Sequence, residues 1–233
     1  MHHGVPIKME KVQKNFLYRN LANLTSILGV LPLVLLFLDD GYRYVIPLIL
    51  FNNVMDDLDG VLAAKLDIRS RFGADLDNVC DAVAHVALAL AVGAHFGGMI
   101  LIASAIAAGS LIVRATARLN PETASGGGSP TNELMRHLLF ALLLEQPLGF
   151  EPGSVLIPLF LLHTVSLQVP YRMHALIRSR ARSATAVGAV NAVLIAAWLI
   201  PSITLFVAAA FILTYLYSFV VDGIRWFKAY GGE

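Results

Sequence analysis

Asp56, Asp59, Gly60, Ala63, Gly73, Asp77 and Asp81 fall in the pattern D-x-x-D-G-x-x-A-x(9)-G-x-x-x-D-x-x-x-D. Asp56 and Asp59 are three residues apart, and Asp77 and Asp81 four apart, so on helices each pair projects from one face. Two helices meeting across a short turn bring the four carboxylates together, and like charges that close need a cation between them. All-oxygen ligation by carboxylates favours a hard divalent ion: magnesium, manganese or, at the same site, calcium. Such an ion with open positions also takes phosphate oxygens. Gly60 and Gly73 let a ligand approach the backbone, and Ala63, one turn beyond Gly60, keeps the same face shallow. The chemistry predicted is a metal-dependent phosphate site.

The surrounding elements set where that site lies. Hydrophobic residues make up 57% of the 233-residue chain and charged residues 14%, with a mean hydropathy of +0.70, which points to a membrane protein. The fold expected is an all-α, polytopic helix bundle forming one domain over 1–233. Apolar stretches lie near 21–38, 43–63, 76–96, 98–117, 132–147, 154–170, 186–200 and 203–221. Several approach the ~20 residues needed to cross a bilayer, and the rest can tilt or thin it locally. The fifth is the weakest, because it carries Arg136, His137 and Glu145. Residues 1–20, with Lys8, Lys11, Lys14 and Arg19 opposite Val12, Phe16 and Leu17, read as an amphipathic segment on the membrane surface rather than a cleavable signal.

Eight alternating spans with a cytoplasmic N-terminus put every Lys and Arg except Arg43 on the cytoplasmic side, a strong positive-inside bias. The protein is then expected in the cell (inner) membrane. The aspartates fall at the cytoplasmic end of span two and the cytoplasmic start of span three, so the site opens to the cytosol. Asp67 and Asp75 read as caps or interfacial charges, and Asp57, about 100° around the helix from Asp56, faces elsewhere. The single Cys80 excludes a disulfide framework and reads as a packing residue.

The aspartate segment resembles the signature of the CDP-alcohol phosphotransferases, D-x-x-D-G-x-x-A-R-x(8)-G-x-x-x-D-x-x-x-D, with seven of eight defined positions present. The resemblance implies transfer of a substituted phosphoryl group from a CDP-linked donor to an alcohol, with release of CMP. It implies Asp56, Asp59 and Asp77 as the main ligands of Mg2+ or Mn2+, with Asp81 beside the metal as general base. Gly60, Ala63 and Gly73 would border the cytidine diphosphate. A homodimer is also implied. One position departs: Ala64, followed by Lys65, stands where the family has arginine. Lys65 points about 100° away and lacks the planar fork.

Features outside the signature are similar to bacterial and archaeal phosphatidylserine synthases: R-L-N at Arg118 to Asn120, G-S-P at Gly128 to Pro130, and the basic stretch Val165 to Arg180. The expected substrates are therefore CDP-diacylglycerol and a small polar alcohol, serine before glycerol 3-phosphate or inositol phosphate. Membrane lipids are partners and nucleic acid is not. The carboxylate of serine calls for a cationic wall, for which Arg114, Arg118, Arg172 and Arg178 are candidates. Asn23 and Thr25 are placed to reach the nucleotide, with Lys65 as a partial replacement for the arginine. His85, four residues after Asp81, reads as a buried structural histidine. Two rivals are a cation or proton transporter and a non-catalytic CDP-lipid-binding protein. The transporter is disfavoured because the aspartates sit on one side and no internal repeat is evident.

Overall fold

A computed structural model describes residues 16–120, 127–181 and 183–230 of the chain. Most of the expected amphipathic segment, including Lys8, Lys11, Val12 and Lys14, lies outside the described residues. Residues 16–19 are helical, with Phe16 and Leu17 exposed.

The described residues form a helical bundle. Its helices are α1 (Leu21–Val30), α2 (Val45–Lys65), α3 (Arg71–Phe96), α4 (Gly98–Leu119), α5 (Thr131–Leu148), α6 (Pro152–Gln168), the short α7 (Ile177–Arg180), α8 (Ala184–Leu199) and α9 (Pro201–Tyr230). All eight apolar stretches are helical. Three helices are long and apolar enough to cross a membrane: α3, α4 and α9. Leu21–Phe37, α6 and α8 are apolar but shorter, while α2 and α5 carry charge within their lengths.

Local chemistry moves several of the expected boundaries. The first stretch is not one α-helix: after Val30 the backbone tightens into a 3₁₀ segment, Leu31–Phe37. Pro32 has no N–H for the i→i−4 ladder, and its ring crowds the preceding turn. The third helix starts at Arg71, five residues before the expected 76, because the Ser70 hydroxyl caps it by accepting from the Gly73 N–H at 2.9 Å. The last helix runs to Tyr230, well past the expected 221.

The connection between α2 and α3 is a tight reversal. Asp67 takes φ 52°, Leu66 N–H bonds to Leu62 O, and Ile68 N–H reaches back to Ala63 O at 3.1 Å. This is a Schellman-type closure, and an aspartate tolerates its left-handed residue better than most side chains. Gly97 and Gly98, at φ 70° and 52°, make the equally sharp reversal from α3 to α4. Gly93 then lies so close to Ser104 that a Cβ would overlap its hydroxyl. Near the other end of this hairpin, Asn78 Nδ2 donates to Ala115 O at 2.9 Å.

The weak fifth segment is the centre of the bundle. Leu134, Leu138, Leu139 and Phe140 of α5 are fully buried and pack into one core with Leu48, Leu88, Leu111 and Phe160. Two of its charges are also buried, Arg136 at 1% exposed and Glu133 at 2%, while Glu145 is partly exposed. Arg136 and Glu133 pair with each other at 2.7 Å, and Arg136 Nε donates to Asn53 Oδ1 at 3.1 Å. Ionised groups inside an apolar bundle persist only with such internal partners.

Candidate active site

Three helices converge on the aspartates. α2 carries Asp56, Asp59, Gly60 and Ala63 along one face, and α3 carries Gly73, Asp77 and Asp81 along another. α1 crosses both and contributes Asn23 and Ser26. One carboxylate oxygen from each of Asp56, Asp59 and Asp77 lies within 4.8 Å of the others. Asp81, 8% exposed, sits beside Asp56, and Asp77 beside Asp59. The helical register inferred from the 3- and 4-residue spacings therefore holds, and the short α2–α3 turn brings the two faces together.

The carboxylates are held from outside the signature. The Ser26 hydroxyl donates to Asp59 Oδ2. Asn132 Nδ2 donates to Asp56 Oδ2 at 2.5 Å. Asn132 is delivered by the chain before α5: Gly128 N–H bonds to Tyr171 O at 2.9 Å and Ser129 N–H to Ser166 O at 2.8 Å. Gly128, at φ 75°, also makes an isolated parallel bridge with Arg172. Neither Ser26 nor Asn132 belongs to the aspartate pattern. Ser26 carried one signal, since it lies three residues after Asn23 on the same helix face.

Two cavities flank the aspartates. The first, about 300 Å³, is lined by Asn23, Ser26, Asp59, Gly60, Ala63, Arg69, Ser70, Gly73 and Asp77, among others. A Cβ on Gly60 would meet nothing within 4 Å, so the glycine opens onto this space. At Gly73 a Cβ would press against Asn23 Oδ1 at 3.0 Å and Ser70 Oγ at 3.1 Å. The second cavity, about 130 Å³, is lined by Asp56, Asp57, Pro130, Asn132, Glu133, Arg136, Arg178 and Ser179. The aspartate cluster stands between them, with Asp59 and Asp77 facing one and Asp56 the other.

The remaining expected residues divide. Thr25 is buried and turns its hydroxyl back to Leu21 O at 3.0 Å, and it does not line the first cavity. Lys65 is exposed and does not line it either. Arg118 is exposed and acts electrostatically on Asp77. Arg114, half-buried, lies against Gly128. Arg172 keeps its side chain exposed beside the same strap. Arg178 faces the second cavity but is paired with Asp57. His85 is 1% exposed with an unpartnered Nδ1, as a buried histidine one turn beyond Asp81.

The donor set fits a hard divalent cation: three carboxylates converge with oxygens only, two of them held by a hydroxyl and an amide, beside a cavity able to admit a ligand. The profile of the CDP-alcohol phosphatidyltransferases matches residues 19–165. No curated protein and no solved structure gives a significant match. The profile match begins in the helical segment before α1 and ends within α6, so it includes both cavities' aspartates and Asn132.

Proposed function

The chain belongs to the CDP-alcohol phosphatidyltransferase family, and from that premise we propose that it transfers a phosphatidyl group from CDP-diacylglycerol to a small alcohol, serine foremost, with release of CMP. Glycerol 3-phosphate and inositol phosphate are the alternative acceptors. The observation that carries this reading is the convergence of Asp56, Asp59 and Asp77 within 4.8 Å, between a cavity bordered by Gly60, Ala63 and Gly73 and a smaller one. Asp56, Asp59 and Asp77, with Asp81 adjoining, hold Mg2+ or Mn2+, and Ca2+ suits the same oxygens. When bound, the cation supplies charge neutralisation for the diphosphate and the departing CMP.

The first cavity takes the cytidine diphosphate, with Gly60 and Gly73 allowing close approach and Asn23 and Ser70 presenting polar atoms. The acceptor enters from the second cavity, past Asn132 and Arg178. Asp81 takes the proton from the acceptor hydroxyl. The acceptor oxygen forms its bond to the lipid-linked phosphorus as the bond from that phosphorus to the CMP oxygen breaks, and CMP departs with the electron pair. Arg118 balances charge at Asp77, and Arg114 and Arg172 support the Gly128 strap that positions Asn132.

The protein works as one domain in the cell (inner) membrane, with eight spans, a cytoplasmic N-terminus and a cytoplasmic site, as a homodimer. Support comes from the all-helical fold, the three helices able to cross a bilayer, and the one-sided Lys and Arg distribution. The test is release of radiolabelled CMP from CDP-diacylglycerol by purified protein, with Mg2+ or Mn2+, across serine, glycerol 3-phosphate, inositol phosphate and amino alcohols. The expected result is metal-dependent release, fastest with serine. Absence of turnover with every alcohol, while CDP still binds, sinks the enzyme reading.

A further inference from the structure

The 300 Å³ cavity contains one cation where the signature does not place one. Among the described residues lining it, Arg69 is the only lysine or arginine. It lies in the turn between α2 and α3, two residues past the left-handed Asp67, and is carried there by the Ile68 N–H to Ala63 O closure. Arg69 also lines an adjoining cavity of about 400 Å³ that holds Arg19, Asn20 and Asn23, so it stands at the seam of two connected spaces. Among the described residues it makes no ion pair, whereas Arg71 pairs with Asp75, Arg136 with Glu133 and Arg178 with Asp57. An arginine left free in a cavity that two carboxylates able to hold a cation also line is poised for an anion that arrives with that cation. Ala64 offers no charge, and Lys65 lies outside the cavity.

We infer that Arg69 supplies a cationic contact to the donor's diphosphate. This rests on the donor reading above. A CDP-linked lipid brings two negative charges on adjacent phosphates. The cation at Asp59 and Asp77 offsets part of this charge, and a guanidinium at the cavity mouth matches the remaining oxygens with a planar, two-pronged donor.

The full-length protein in detergent with Mn2+ is titrated with CDP and with CMP, which differ by the terminal phosphate. Arg69→Gln is expected to weaken CDP about tenfold and CMP less, with Arg69→Lys between and Lys65→Gln at wild-type affinity. In turnover, KM for CDP-diacylglycerol rises more than kcat falls. Size-exclusion elution and circular dichroism confirm that the variants, altered at an exposed residue, remain folded. Unchanged CDP affinity in Arg69→Gln, or equal losses for CDP and CMP, overturns the assignment while leaving the donor reading intact. Failure of the wild type to bind either nucleotide overturns the donor reading itself.

Discussion

Arg178 Nε donates to Asp57 Oδ1 at 2.6 Å, joining residues 121 apart in sequence. Asn191 Nδ2 completes the pairing by donating to Asp57 Oδ2 at 2.8 Å, and its own Oδ1 accepts from Asn53 at 2.6 Å. Through Asn53 the chain of contacts continues to Arg136 and Glu133. One polar network thus links α2, α5, α7 and α8, and its Asp57, Glu133, Arg136 and Arg178 line the second cavity beside Asp56. Its bonds to Asn53 and Asp57 tie the turn of α2 that carries Asp56 to the neighbouring helices.

Asp57→Asn is therefore expected to act on stability. The substitution leaves the half-buried Arg178 without its counter-charge, a loss of about 3 kcal/mol, at the low end for breaking a buried pair because Arg178 keeps 31% exposure. Thermal unfolding of the purified protein reads this directly. CMP release per folded molecule should stay within severalfold of wild type. The reverse pattern, intact stability with abolished turnover, would move Asp57 into the reaction.

Asp56→Asn and Asp77→Asn each remove one converging carboxylate. Turnover should fall by about two orders of magnitude or more, since charge stabilisation in such sites carries much of the catalysis. Mn2+ binding followed by electron paramagnetic resonance should weaken in parallel. Wild-type metal affinity in both variants would refute the assigned ligand set.

Asp81→Asn separates proton transfer from binding. The proposed general base predicts a drop in kcat of roughly 10²- to 10⁴-fold. CDP affinity should hold near wild type. A large loss of nucleotide or metal binding instead would make Asp81 a ligand first.

Ser26→Ala and Asn132→Ala test the groups that aim the carboxylates. Each removes one hydrogen bond, to Asp59 and Asp56 respectively. Outer partners of metal ligands are worth about 10–100-fold in affinity, and that is the loss expected for Mn2+. Identical metal titrations for variant and wild type would mean that the bonds merely fill space.

Gly60→Ala should set stability against function. Nothing lies within 4 Å of a Cβ there, so the helix gains about 0.5–1 kcal/mol from the better helix former. The added methyl intrudes on the nucleotide cavity and should raise KM for CDP-diacylglycerol. A melting temperature that rises while KM is unchanged would place the nucleotide elsewhere.

Much of the site was legible because helical periodicity acts over short distances. Asp56, Asp59, Gly60 and Ala63 share a face by spacing alone, as do Gly73, Asp77 and Asp81, and a short turn leaves the two faces little choice but to meet. Thr25 and Lys65, expected to reach the nucleotide, do not line the first cavity. Proximity in sequence to cavity residues does not fix the rotation that turns a side chain inward: the Thr25 hydroxyl turns back to Leu21 O, and Lys65 is exposed. The charges of α5 obscured its position. Arg136, His137 and Glu145 made it the weakest of the apolar stretches, yet in the fold Arg136 is buried against Glu133.

By itself the amino-acid sequence pointed to an all-helical membrane protein and to aspartates gathered where they could hold a cation, since these depend on composition, 3.6-residue periodicity and ligand chemistry. The class of reaction came from the resemblance of the signature to its family. The tertiary structure alone decided which distant side chains complete the site. Asn132 reaches Asp56 across 76 residues, and Arg178 is spent on Asp57 instead of facing a substrate unpaired. Such pairings depend on how helices cross and which side chains fill the space between them, and no local spacing in the chain encodes that.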